Sequence, residues 1–126
     1  DKGTWIGPRR DDLWKDMLLA WKVACLSKSN AVAIIKDGEA VGIGMGFCSR
    51  VFAVDFATNQ AKEKAKGAVM GSDAFFPFPD GVEAAAKAGI KAIIQPGGSV
   101  RDDEVFKRAE ELGLSMFISG WRTFRH

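Results

Sequence analysis

Aromatic, acidic and proline residues crowd into the stretch SDAFFPFPD, residues 72–80, a composition that suits a ligand site. Pro77 and Pro79 lack a backbone N–H and cannot complete a strand, so the chain leaves a sheet here while it carries three phenylalanines. Rings on a stiff loop can stack on a flat heterocycle, and Asp73 or Asp80 can accept hydrogen bonds from its amino groups. Burial of the rings in a core is the competing interpretation, and composition leaves both open.

Two further segments contain residues that could bind a ligand. The terminal WRTFRH places Arg122, Phe124 and His126 on one side if the tail is extended. The turn QPGGS precedes a helix, and N–H groups at a helix N-terminus attract anions. An ordinary strand-to-helix turn is the favoured interpretation of QPGGS. The glycines of GIGMG lie in a predicted strand and indicate close backbone packing rather than a nucleotide loop.

The residues that several kinds of catalysis require are missing from this sequence. The chain has a single histidine and no C-x-x-C pair, so it cannot supply the three protein ligands of a catalytic zinc site. A G-x-S-x-G elbow for Ser-His-Asp catalysis is also missing. We therefore expect no metal site, and we expect Cys25 and Cys48 to be buried, reduced thiols, because intracellular proteins rarely form disulfides.

Length and charge limit the other function classes. The chain has 126 residues, 47% of them hydrophobic, which suits one ordinary domain with its own core. A net charge of +2 gives no reason to expect a nucleic acid or an anionic membrane surface as a partner. The apolar runs are far shorter than the ~20 residues of a membrane span. We expect a soluble, cytoplasmic domain over residues 11–126, with residues 1–10 as an arm or linker.

The elements that position these residues follow from periodicity and turn signals. Apolar residues at helical spacing predict a helix over 11–27 and another over 50–66, and the Asp37-Gly38 pair predicts a hairpin within 30–47. Short apolar runs then alternate with helices, which is typical of parallel strands joined by crossovers. These runs are predicted strands at 68–72, 91–95 and 114–120, with helices over 81–89 and 101–113.

The predicted fold class is therefore α/β, a three-layer α/β/α sandwich with a mixed sheet. In such sheets the carboxyl ends of the strands, and the loops after them, meet at one edge, where ligands bind. We expect SDAFFPFPD, QPGGS and the WRTFRH tail to lie at this edge.

Three segments resemble the closing part of the aminoimidazole carboxamide ribonucleotide (AICAR) transformylase domain: KSNAVAIIKDGEAVGIGMGFCSRV, SDAFFPFPDGVEAAAKAGIKAIIQPGGSVRDDEV and GWRTFRH. That domain is found in the bifunctional purine-biosynthesis enzyme that also carries an inosine monophosphate (IMP) cyclohydrolase domain. The resemblance covers roughly residues 11–126 and implies a cytidine-deaminase-like fold without zinc, one of two similar subdomains in tandem. It implies transfer of a formyl group from the co-substrate 10-formyltetrahydrofolate to the 5-amino group of AICAR.

The resemblance also implies roles for particular residues. Asn30 matches the asparagine that contacts the transferring formyl oxygen, and Arg50 and Val51 match positions that line the folate side. Phe76 should point away from the ligand into the core. The resemblance implies a substrate site of aromatic, acidic and basic residues around the imidazole ring and the nucleotide: Phe75, Phe78, Asp80, Arg122, Phe124 and His126.

One motif of the family is missing from these 126 residues. The catalytic Lys-His pair lies in a KHANPCG-like motif of the first subdomain, and GFCSRV also departs from the family, which more often has Gln before Ser-Arg. The resemblance therefore implies a chain that supplies the C-terminal half of the site. It needs a partner chain or domain with the first subdomain, and a homodimer is expected. The alternative is a non-catalytic nucleotide-binding or regulatory module that retains the AICAR pocket.

Overall fold

The computed structural model describes residues 3–121, and within them the chain forms a six-stranded mixed sheet with helices on both faces. The strands are β1 (Thr4–Ile6), β2 (Val32–Lys36), β3 (Glu39–Gly44), β4 (Val69–Ser72), β5 (Ala92–Gln95) and β6 (Ser115–Ile118). The α-helices are α1 (Trp14–Leu26), α2 (Arg50–Ala61), α3 (Asp80–Ala88) and α4 (Asp102–Glu111). The strand order is β1-β6-β5-β4-β2-β3.

Strand directions bring one set of loops to a common edge of the sheet. Strands β4, β5 and β6 are parallel, whereas β2 is antiparallel to both β3 and β4. Strands β3 to β6 therefore all end at one edge, which we call the carboxyl edge, and β2 begins there. Since short connections join the end of α1 to β2 and β3 to α2, those helix ends lie at the carboxyl edge too.

Alternating side chains along the central strands build two cores. Ile34, Met70, Ile93 and Met116 face α2, α3 and α4 and belong to the larger cluster of buried residues. Their neighbours Ile35, Val69, Ile94 and Phe117 face α1 with Met17 and Trp21. This period of two is what a sheet buried on both faces requires. The three-layer α/β/α prediction is confirmed.

Glycines permit close contact between the sheet and two helices. A Cβ added at Gly71 would lie 2.4 Å from the backbone carbon of Ala20 in α1. Added at Gly42 or Gly44, it would lie 2.2 and 2.3 Å from carbonyl oxygens of α2. The glycines of GIGMG that lie in β3 thus serve backbone packing, as the sequence indicates.

The structure differs from the sequence predictions at several element ends. Residues Thr4–Ile6, within the expected arm, pair antiparallel with β6 as an edge strand. The first predicted helix starts as a 3₁₀ turn at Asp11–Leu13, and α2 stops at Ala61, before a second 3₁₀ turn over Lys62–Ala65. Lys62 has φ of 54°, which breaks the helix that periodicity alone would continue.

Within residues 3–121, no helix has the length and apolar character to span a membrane.

Candidate functional site

A cavity of about 410 Å³ lies at the carboxyl edge, between the start of β2, the first turn of α2 and the segment that joins β4 to α3. Its walls combine aromatic rings, a guanidinium, an amide and a carboxylate, the groups that hold a polar heterocycle. Six residues predicted from the sequence lie around it although they are distant in the chain: Asn30, Arg50, Val51, Phe75, Phe78 and Asp80. Cys48 and Ser49, which no sequence pattern indicates as site residues, also line it.

The three phenylalanines after β4 divide between the cavity and the core. Phe76 is fully buried and packs in the larger core cluster, so the prediction that it points inward is confirmed. Phe75 and Phe78 remain 38% and 50% exposed and form one wall of the cavity. The guanidinium of Arg101 lies 5.1 Å from the centre of the Phe78 ring, a cation-π contact that holds this ring from the loop after β5.

Asp80 lies at the rim as the first residue of α3. Its side chain is exposed, and its Oδ1 accepts a hydrogen bond of 2.8 Å from the backbone N–H of Gly81. A carboxylate at this position is stabilised by the helix dipole and can still accept from a ligand. Asp80 therefore lies at the rim of the cavity with an exposed carboxylate.

Asp73, the other aspartate considered as a ligand acceptor, is instead part of the buried framework. It is 8% exposed, and it is not among the residues that line the cavity. Its Oδ1 accepts from Arg50 Nη1 at 2.6 Å and from the backbone N–H of Ala31 at 3.1 Å, while Ser29 Oγ donates to Oδ2. The prediction that Asp73 accepts from a ligand is therefore wrong. A buried carboxylate needs hydrogen-bond partners inside the protein, and both oxygens of Asp73 already have them.

Arg50 connects this framework to the cavity. It is 5% exposed, its Nη1 also donates to the carbonyl of Ala31 at 2.8 Å, and its Nη2 donates to Oδ1 of Asn30 at 3.0 Å. Its Nε is the one buried side-chain polar atom that finds no hydrogen-bond partner among the residues that the structure describes. Such groups are rare in proteins and mark positions worth considering as functional.

The backbone N–H groups of the QPGGS turn are satisfied by side chains of the chain itself. The backbone N–H groups of Gly98 and Ser99 donate to the carboxylate of Asp102, at 2.8 and 3.1 Å. An anion at this helix N-terminus would have to displace that carboxylate. The structure thus agrees with the simpler interpretation, a strand-to-helix turn in which Gly97 and Gly98 supply positive φ.

A larger groove of about 860 Å³ lies between the start of β3 and the end of α2. Its lining includes exposed charged side chains such as Glu39, Lys62, Glu63 and Lys64, but no residue that the sequence predicts for a site. The groove is away from the carboxyl edge. Volume alone therefore does not make it the better candidate.

The two cysteines differ in their surroundings. Cys25 is half-buried, and burial together with the negative charge of Asp73 raises the pKa of its thiol to about 11. Cys48 is exposed at the cavity, so the expectation that both thiols are buried is wrong for Cys48. Among residues 3–121, no three His, Cys, Asp or Glu side chains are grouped closely enough to hold a metal ion.

Arg122, Phe124 and His126 lie outside the described residues. The described chain reaches Trp121, whose ring contacts those of Trp21 at 5.8 Å and Phe117 at 6.0 Å. Strand β6 ends shortly before, at the carboxyl edge.

Comparison with solved structures defines the class of fold. RibD from Acinetobacter baumannii superposes with a TM-score of 0.60 at 22% identity, covering 83% of this chain and 34% of that one. The dCMP deaminase from the cyanophage S-TIM5 superposes with a TM-score of 0.54 at 18% identity, covering 86% of this chain and 98% of that one. The chain therefore has the α/β fold of the cytidine and deoxycytidylate deaminases.

Sequence comparison identifies its relatives. Residues 5–60 match the model of the family described as AICARFT/IMPCHase bienzyme. The chain is 54% identical over 113 residues to the bifunctional purine biosynthesis protein PurH of Bacillus subtilis (strain 168), covering 90% of this chain and 22% of that protein. PurH of Rhodopirellula baltica is 49% identical over 119 residues, covering 94% and 23%. The homologues of this chain are thus bifunctional purine-biosynthesis enzymes, and it spans under a quarter of their length.

Proposed function

We propose that this chain is the C-terminal subdomain of an AICAR transformylase and takes part in formyl transfer from 10-formyltetrahydrofolate to AICAR, a step of IMP biosynthesis in the cytoplasm. One observation carries the proposal. Six residues that the resemblance assigns to the formyl, folate and imidazole contacts come from separate segments and line a single cavity. Its volume of about 410 Å³ is within the range of small-molecule sites, about 300–1,000 Å³.

The reaction sets three demands on the site. The 5-amino group of AICAR is a poor nucleophile because its lone pair is delocalised into the ring, so the site must orient it, take its proton and stabilise an oxyanion. Phe75 and Phe78 would hold the imidazole ring, and Asp80 would accept from its polar substituents. Asn30 would donate an N–H to the formyl oxygen, where negative charge develops. The proton acceptor is expected in the Lys-His motif of the first subdomain.

The folate side would be formed by Arg50 and Val51. Both line the cavity. Arg122, Phe124 and His126 would complete the binding site for the nucleotide part of AICAR, as the resemblance implies. No step in this scheme uses a metal.

The carboxyl edge has the character of a surface that a partner covers. In the described part of the chain, seven large apolar side chains are more than a third exposed, and all lie at this edge or in the two turns of α2 that start there. They are Leu26, Met45, Phe52, Phe56, Phe75, Phe78 and Val100. An apolar surface beside a polar site is typical of interfaces. We propose that a chain or domain carrying the first subdomain covers it, within a homodimer.

Calorimetry and an activity assay test the proposal. AICAR is titrated into the chain alone and into its assembly with a partner that carries the Lys-His motif, and formyl transfer is measured in both. We expect transfer in the assembly, and weaker AICAR binding when Asp80→Asn removes the rim carboxylate. Glu63→Gln, in the larger groove, should change neither. Absence of both binding and transfer would overturn the proposal, whereas binding without transfer would favour a non-catalytic module.

A further inference from the structure

Asn30 is held at both its backbone and its side chain. Its N–H donates to the carbonyl of Phe47 at 3.1 Å, and its carbonyl accepts from the N–H of Phe47 at 3.3 Å. Its side-chain Oδ1 accepts from Arg50 Nη2 at 3.0 Å. The residue lines the cavity, so these contacts determine which end of its amide faces a ligand.

The chemistry of Arg50 allows only one orientation of that amide. A guanidinium has five N–H donors and no acceptor, so the amide atom that faces it must be the oxygen. The Nδ2 group of Asn30 then points away from Arg50. Among the described residues, none accepts a hydrogen bond from Nδ2. Nδ2 is thus the end of the amide that is left to donate to a ligand in the cavity.

Arg50 is itself fixed by Asp73. The side chains of Arg50 and Asp73 are 4% and 7% exposed, and their contact of 2.6 Å is a charge-assisted hydrogen bond away from water. Asp73 in turn accepts from Ser29 and from the backbone N–H of Ala31. Arg50 is therefore the donor to both side chains, and Asp73 and Asn30 are its acceptors.

We infer that Asp73 and Arg50 are positioning residues that keep the Nδ2 donor of Asn30 turned toward the cavity. A donor fixed beforehand stabilises developing negative charge without reorganisation during the reaction. The inference rests on the proposed function in one respect, namely that the acceptor is the formyl oxygen. The orientation of the amide stands on the contacts alone.

The first test concerns the orientation and needs no substrate. In Arg50→Lys the ammonium keeps a positive charge beside Asp73. A single ammonium cannot also donate to Oδ1 of Asn30, as the second nitrogen of the guanidinium does. The side-chain ¹⁵N–¹H signals of Asn30, assigned by their loss in Asn30→Asp, report its order. We expect a rigid side-chain amide in the wild type, with a high order parameter S², and S² below about 0.6 in Arg50→Lys. Unchanged Asn30 signals in Arg50→Lys would overturn the inference.

The second test is a double-mutant cycle in the assembled enzyme. Asp73→Asn substitutes no residue that lines the cavity. It should lower kcat, by no more than the ~10²–10³-fold expected for loss of one oxyanion donor, with a smaller change in the KM for AICAR. In an Asn30→Ala background it should have no further effect on kcat, because the group that it positions is gone. An equal fall in both backgrounds would show a merely structural role and refute the inference.

Folding is checked in the same samples. If Asp73→Asn does not fold, the Arg50→Lys spectrum still decides the orientation of Asn30. If the wild-type assembly shows no formyl transfer, the proposed function fails, and the spectrum of the chain alone separately shows whether the amide is fixed.

Discussion

Nη1 of Arg50, in the first turn of α2, lies 2.6 Å from Oδ1 of Asp73, the residue that follows β4. This contact links α2 to the end of β4 beside the candidate site. A buried ion pair contributes little net stability over an apolar pair, but removal of one partner leaves an uncompensated buried charge. The pair therefore matters to the site mainly because the loss of either residue would leave an unpaired buried charge beside it.

Asp73→Ala should lower the free energy of unfolding by about 3–5 kcal/mol, because Arg50 would remain buried without its counter-charge. Asp80→Ala is the matched control, because Asp80 follows the same phenylalanines in the sequence but is exposed. We expect it to change the free energy of unfolding by no more than about 1 kcal/mol. Urea denaturation followed by circular dichroism measures both. Similar losses in the two variants would contradict the assignment of Asp73 to the framework.

A second prediction separates the phenylalanines after β4. Phe76→Ala should cost about 3–5 kcal/mol of stability, because the ring is fully buried and its loss leaves a cavity. Phe78→Ala should cost about 1 kcal/mol or less, because half of that side chain is exposed.

Denaturation and AICAR titration of both phenylalanine variants check this. Phe78→Ala should weaken AICAR binding by the assembly, since the ring forms a wall of the cavity. If Phe78→Ala binds AICAR with unchanged affinity, the ring is not part of the substrate site.

The fold was largely predictable because its signals are local. Apolar residues at helical spacing mark α1 and α2, and the Asp37-Gly38 pair, with φ of 50° and 80°, marks the hairpin between β2 and β3. Strand β1 could not be predicted this way. Its three residues are too few for a period, and they are held by pairing with β6 and by the ring of Trp5, 5.3 Å from that of Phe117.

The residues of the candidate site were predictable only in part. Pro77 and Pro79 indicate that the chain leaves the sheet, and the resemblance indicates which rings face a ligand. The burial of Asp73 could not be read from the sequence, because its partner Arg50 is 23 residues away and nothing local distinguishes Asp73 from Asp80. Long-range ion pairs of this kind depend on the packing of elements, not on spacing.

A third prediction concerns the amide donor of the site. Asn30→Ala should lower formyl transfer by about 10²–10³-fold in the assembled enzyme, as the loss of one oxyanion donor typically does. Asn59→Ala is a suitable control, because Asn59 is exposed on α2 and does not line the cavity. Steady-state kinetics at saturating AICAR would measure kcat. An unchanged kcat in Asn30→Ala would remove Asn30 from the mechanism.

The last prediction follows from the pKa of the Cys25 thiol, which is raised from its ordinary value near 9 to about 11 by burial and by the charge of Asp73. The thiolate is the reactive form, so at pH 8 folded Cys25 should be alkylated by iodoacetamide roughly a hundredfold more slowly than in the unfolded chain. Because folding favours the protonated thiol, the resulting stability is present below pH 9 and is lost as the pH rises toward 11. Cys25→Ala should remove that part of the pH dependence, whereas Cys48→Ala should not. Mass spectrometry of alkylated peptides measures the rates, and equal rates for Cys25 in the folded and unfolded chains would contradict its raised pKa.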